Sequence, residues 1–165
     1  MIHINIKKIF FNLTIILLIF LIDRISKVYI LNIAETTGFV DIELNSYLNL
    51  ILVWNTGIGF GLLSFEQTSI YNFITFFIIL INLIIFYITF KLKDFRIYFF
   101  LIILGGSLGN LFDRIYYAAV PDFIDLNYNG YHWFIFNFAD IFISLGIICL
   151  ILVEFLSYKK NHEDK

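Results

Sequence analysis

Four runs of apolar residues, at about 9–31, 70–90, 97–116 and 134–156, decide what this chain can fold into. A helix needs about 20 residues to cross roughly 30 Å of hydrocarbon, and each run is long enough. Of the 165 residues, 61% are hydrophobic and 15% charged. A soluble domain of that size cannot cover so much apolar surface, so the chain reads as a polytopic membrane protein of one domain, residues 1–165. The first run follows Lys7-Lys8 in the manner of a signal peptide. No small-x-small cleavage site follows it, however, and Asp23, Arg24 and Lys27 interrupt its far end. It is read as an uncleaved helix.

Orientation comes from the basic residues. Lys7, Lys8, Lys91, Lys93, Arg96, Lys159, Lys160 and Lys165 lie in the two tails and the link between the second and third runs. The positive-inside rule puts all of these on the cytoplasmic side, with both termini there. Arg24, Lys27 and Arg114 map to the opposite end, together with Asp23, Asp113, Asp122 and Asp140. A net charge of −2 leaves no basic patch of the kind that binds nucleic acid.

The link between the first two runs, about residues 36–68, is too long for a tight turn and too apolar for a disordered linker. Val40, Ile42 and Leu44 alternate with Asp41 and Glu43, and Leu48, Leu50, Leu52 and Trp54 alternate again. A period of two predicts short strands, hence a small extracytoplasmic β element between helices one and two. Gly57, Gly59 and Gly61 then mark a sharp turn or a close approach of backbone. The fold class is thus all-α membrane protein with four transmembrane helices and that β element.

Asp122, in Val120-Pro121-Asp122-Phe123, and Asp140, ending Phe136-Asn137-Phe138-Ala139-Asp140, stand at the edges of apolar segments. An ionised carboxylate there is costly unless paired or wetted, so it reads as functional by default. Two that can meet suggest an aspartic dyad, sharing one proton and activating water.

Other polar residues fall into helical register around these acids. Asp23 and Lys27 are at i and i+4, which fits an ion pair that positions a site or simply closes the interface. Gly105 and Gly109 form a small-xxx-small pattern that lets helices approach. Asn110, Asp113 and Arg114 follow on one face. Asp113 has Arg114 as its sequence neighbour, so a local structural role is expected for it. Asn137 reads either as a site residue or as a helix cap, and Asn55 as a site or turn residue. Cys149 lies in an apolar run and is read as inert. His3, His132 and His162 lack zinc-site spacing, and no G-x-S-x-G elbow is present.

Taken in order, Asp23-Arg24-Ile25-Ser26-Lys27, Asn55-Thr56-Gly57-Ile58-Gly59-Phe60, Gly109-Asn110-Leu111-Phe112-Asp113-Arg114, Val120-Pro121-Asp122-Phe123 and Phe136-Asn137-Phe138-Ala139-Asp140 resemble the motifs of bacterial lipoprotein signal peptidase, signal peptidase II. The resemblance covers about residues 9–156. It implies a four-helix aspartic endopeptidase of the inner membrane, which cleaves prolipoproteins just before a diacylglyceryl-modified cysteine. It also implies Asp122 and Asp140 as the catalytic pair, with Asp23, Lys27, Asn55, Gly109, Asn110, Arg114 and Asn137 in support. No metal, cofactor, disulfide or nucleic acid is implied, and the enzyme is expected to act as a monomer in membrane lipid. Two positions depart from the family pattern, Pro121 for an aliphatic residue and Gly59 for Ala or Ser. A proton-coupled transporter would instead place acids near the bilayer midplane in a repeated architecture, and neither is visible here. A non-catalytic assembly subunit would explain the hydrophobicity but none of the polar motifs.

Overall fold

Each of the four apolar runs forms a helix in the computed structural model, which describes residues 6–57, 68–128 and 131–163. The order is α1 (Ile6–Thr37), β1 (Asp41–Asn45), β2 (Leu48–Asn55), α2 (Thr68–Lys91), α3 (Arg96–Tyr117), β3 (Val120–Tyr128), β4 (Tyr131–Phe136) and α4 (Phe138–Glu163). All four helices contain stretches apolar and long enough to cross a membrane. On α2, side chains as large as Phe73, Phe76 and Leu83 face outward. A helix apolar on its outer face belongs in lipid rather than water.

The third helix is the hub. It packs against α1, α2 and α4, and its small residues set how closely they come. A Cβ on Gly106 would stand 2.6 Å from the Ala139 carbonyl oxygen of α4. The large apolar side chains buried on this helix, Ile97, Leu101, Ile103 and Leu104, lie toward the end away from the acids.

Helix α1 has 32 residues, about 48 Å of helix and well beyond the hydrocarbon thickness. Its last turns carry the sheet. Ile30, buried to 2% exposure, forms a core with Val40, Phe123 and Ile124, and Ile33 and Ala34 pack against it. The sheet therefore sits on one end of the bundle, fixed by hydrophobic contact to the helix that precedes it.

The strands run antiparallel in the order β1-β2-β3-β4. The β element expected between the first two helices is present as β1 and β2, and the sheet extends beyond it. Half of the sheet comes from the α3–α4 connection, and the fourth helix begins at Phe138 rather than near 134. Trp133, Phe134, Ile135 and Phe136 belong to β4. Their unbroken apolar run joins that of α4, and a run with no alternation cannot be told from a helix by periodicity alone. Pro121 pairs opposite Trp54 of β2, while β4 joins β3 only from Ile124 onward. The proline thus occupies a stretch of β3 with a neighbour on one side alone, where a missing N–H is tolerated. Ala118, at φ 55°, caps α3 in the left-handed region and turns the chain directly into β3.

Candidate active site

The turn from α3 into β3 and the start of α4 bring the two predicted acids to one place beneath the sheet. Asp122 is the third residue of β3 and is 2% exposed; Asp140 is the third residue of α4 and is 6% exposed. One residue touches both. Asn137 donates from Nδ2 to Asp122 Oδ1 at 2.5 Å, and from its backbone N–H to Asp140 Oδ2 at 3.2 Å.

The local sequence explains that double contact. Asn137 is the N-cap of α4: its Oδ1 accepts the Asp140 N–H at 3.1 Å, while the Asp140 carboxylate accepts the Asn137 N–H in return. This reciprocal pairing is a capping box, which satisfies two donors that a helix start leaves open. Asn137 thus caps α4 with the same side chain that contacts Asp122.

The remaining carboxylate oxygens are also held by neutral donors. Asn55, the last residue of β2, donates to Asp122 Oδ2 at 2.8 Å and accepts the Gly57 N–H at 2.8 Å. Asn110 of α3 donates to Asp140 Oδ1 at 2.8 Å. Among the described residues neither acid takes part in a salt bridge. A lysine bound directly would hold a carboxylate ionised; an amide does so far less. Burial, and then the neighbouring Asp140 carboxylate, push the Asp122 carboxyl up to about 7.

The nearest cation is one residue removed. Lys27 Nζ donates to Asn110 Oδ1 at 2.8 Å, so its charge reaches Asp140 through the Asn110 amide. The same ammonium binds Asp23 at 2.9 Å and Asp113 at 2.7 Å. Arg24 closes the cluster, at 2.5 Å from Asp113 and 3.1 Å from Asp23. Two acids and two bases thus compensate one another in a buried square joining α1 to α3. Asp23 also accepts the Ala139 N–H at 3.1 Å, which ties α1 to the open N-terminus of α4.

Gly109 is what admits this square. A Cβ there would overlap the Asp23 carboxylate. Gly109→Ala is expected to drive α1 from α3 or to pull Asp23 off Ala139, at about 1–3 kcal/mol for an overpacked contact. Its melting temperature in detergent should fall; an unchanged value would contradict the close approach.

Two residues stand differently from their sequence readings. Asp113 does not pair with Arg114. Asp113 instead meets Arg24, 89 positions earlier, while the Arg114 guanidinium is taken by the Gly57 carbonyl. Arg114 reaches away from the acids, donating to the Gly57 carbonyl and lying over the Tyr71 ring at 5.4 Å. The Tyr71 hydroxyl donates to the Arg114 carbonyl at 3.1 Å. Arg114 therefore anchors the chain just past Asn55 and does not contact Asp122 or Asp140. Arg24 was not among the predicted residues; the signal for it was its place beside Asp23 and Lys27 among the charges that the sequence collects at this end. Gly59 and Gly61 of the glycine-marked loop lie outside the described residues, as do His3 and Lys165.

Beside Asp140 an apolar cleft of about 340 Å³ runs along α4, lined by Phe136, Ile141, Ser144, Leu145 and Ile148. Asp140 is itself one of its lining residues.

Fold and site together define a class: a four-span membrane protein with paired buried acids at one end of its bundle. Residues 15–156 match the family described as Signal peptidase (SPase) II. The chain belongs to that family, and so is a membrane protease of the kind that removes signal peptides from prolipoproteins. Among its relatives, a lipoprotein signal peptidase of Pelagibacter ubique (strain HTCC1062) is 52% identical over 161 residues, 97% of each chain. One of Anaplasma marginale (strain Florida) is 35% identical over 147 residues, 88% of this chain and 84% of the relative. A solved structure described as a "Bacterial membrane enzyme structure by the in meso method at 2.3 A resolution" superposes with a TM-score of 0.69 at 29% identity, covering 93% of this chain and 92% of that one.

Proposed function

We propose that this chain is a monomeric aspartic endopeptidase, which cleaves prolipoproteins immediately before a diacylglyceryl-modified cysteine with Asp122 and Asp140 as the reacting pair. The observation that carries this reading is the Asn137 bridge, which joins two buried carboxyl groups that take part in no salt bridge among the described residues. In the resting pair one carboxyl is ionised and the other protonated. The ionised one takes a proton from a water held between them, and the water oxygen attacks the scissile carbonyl carbon. The protonated one donates to the carbonyl oxygen as it gains charge. Collapse of the tetrahedral intermediate breaks the C–N bond, and a proton passes to the leaving amine of the cysteine. The proton belongs to the pair as a whole.

This mechanism carries a sign in pH. It needs the singly protonated pair, and the Asp122 carboxyl lies at about 7. Raising the pH above that value removes the shared proton and leaves two carboxylates, so cleavage should fall on the alkaline side. A pH–rate profile flat from 6 to 9 would contradict it.

Substrate delivery follows from the surroundings of the pair. By the distribution of basic residues both termini are cytoplasmic and the sheet end is extracytoplasmic. A signal peptide is a hydrophobic helix, and the apolar cleft along α4 leads such a helix to Asp140. The acyl chains on the cysteine add about 0.8 kcal/mol of membrane affinity per buried CH₂ and hold the scissile bond at the leaflet surface. Diacylglyceryl precursor should therefore be cleaved far faster than the unmodified form in the same membranes. Equal rates on the two would end the lipid-directed reading and leave a general membrane protease.

A further inference from the structure

Helix α2 packs chiefly on α3, yet a chain of contacts runs from it to Asp122. Two of its side chains hydrogen-bond to another element among the described residues, Tyr71 near its start and Asn82 in its middle. Tyr71 is buried and holds Arg114 in two ways. Its hydroxyl donates to the Arg114 carbonyl at 3.1 Å, in the last turn of α3, where a helix leaves acceptors open. Its ring centre lies 5.4 Å from the guanidinium, within reach of a cation–π contact. Among the described residues Arg114 takes part in no salt bridge, and its Nη1 has no hydrogen-bond partner. The ring face and the Gly57 carbonyl, rather than a carboxylate, therefore seat that guanidinium. Gly57 in turn donates its N–H to Asn55 Oδ1 at 2.8 Å, and Asn55 Nδ2 donates to Asp122 Oδ2 at 2.8 Å.

We propose that Tyr71 is a positioning residue for cleavage: its ring seats the Arg114 guanidinium on Gly57 and so aims the Asn55 amide at Asp122. The proposal rests on Asp122 and Asp140 being the reacting pair. Asn82 supplies the contrast. Its Nδ2 donates to Ser107 of α3 at 2.9 Å and ties the same two helices, but among the described residues no hydrogen bond continues from Ser107 toward the acids. The consequence of the Tyr71 route is read in protons. By donating to Asp122, Asn55 favours the ionised carboxyl and offsets part of the rise to about 7 that burial and Asp140 cause. The charged groups acting on Asp122 are Asp140 of α4 and Lys27 of α1, and a change at Tyr71 alters neither. An Asn55 amide no longer aimed leaves Asp122 protonated to higher pH, so the alkaline fall in cleavage moves upward. The position of that fall is independent of how much protein folds, because only folded enzyme contributes to the rate.

The test is the pH–rate profile for cleavage of one diacylglyceryl prolipoprotein by the full chain in nanodiscs. In Tyr71→Leu the alkaline fall should lie roughly 0.5–1 pH unit above that of the wild type, part of the shift that full loss of a hydrogen bond to a carboxylate would give. Tyr71→Phe, which keeps the ring, should fall where the wild type does. Asn82→Ala should melt lower without moving the profile. Should Tyr71→Leu not accumulate, Tyr71→Met, unbranched and able to fill the gap, carries the same prediction. An unmoved profile in the Leu or Met variant overturns the role. So does an equal shift in Asn82→Ala, which would reduce the effect to a general loosening of α2. A shift in Tyr71→Phe as large as in Tyr71→Leu overturns the ring as its carrier. Asp122→Asn, run alongside, separates the two readings: near-normal cleavage there removes the reacting pair itself, whereas lost cleavage there with unmoved Tyr71 profiles removes only the role of Tyr71.

Discussion

Lys27→Ala is expected to lower the stability of the folded protein by about 3–5 kcal/mol, the loss typical when one partner leaves a buried charge uncompensated. The Lys27, Asp23 and Asp113 side chains are all at 0% exposure. Without the ammonium, two carboxylates buried from solvent share the single positive charge of Arg24. The effect should extend to the site, because Asn110 loses the donor that orients it toward Asp140. Melting in detergent and cleavage should therefore fall together. A variant that keeps its melting temperature but loses cleavage would reassign Lys27 to substrate contact.

The acids of this cluster were legible in the sequence because charge is rare in apolar surroundings, and because Asp23 and Lys27 share a helix face by spacing alone. The four spans were legible for the same reason: their length leaves few other folds. The partner of Asp113 was not. Sequence proximity favours Arg114, while the actual contact with Arg24 depends on how α1 and α3 cross, which Gly109 permits. The hairpin of β3 and β4 was lost for a different cause. Asp122, Ile124 and Leu126 lie on one face of β3 with a polar–apolar mixture that matches no simple alternation, and Trp133 to Phe136 merge into the apolar run of α4. Asn137 illustrates how a local rule and a proposed functional role can coincide. Its position three residues before Asp140 predicts a cap, and the capping box is what sets the second acid beside the first.

Asp122→Asn and Asp140→Asn are each expected to reduce cleavage roughly 100- to 10,000-fold, the range for loss of a positioned acid or base. The fall should lie toward the upper end, since either change removes a proton exchanged by both groups. An amide has the size of the carboxylate and accepts a hydrogen bond through one oxygen. The variants should therefore stay folded and membrane-inserted, with melting temperatures close to or above the wild type. Relief of two buried acids from each other's charge favours the second outcome for Asp122, whose carboxyl is pushed up to about 7 by burial and by Asp140. Loss of activity without loss of fold separates this pair from Lys27, where the two decline together.

The most direct test uses purified wild type, Asp122→Asn and Asp140→Asn in nanodiscs with one diacylglyceryl prolipoprotein, and the products read by mass spectrometry. The wild type should release the intact signal peptide and leave a protein beginning at the lipidated cysteine, and both variants should leave the precursor whole. Cleavage at that bond by either variant at a rate near the wild type would contradict the assignment of Asp122 and Asp140 as the reacting pair.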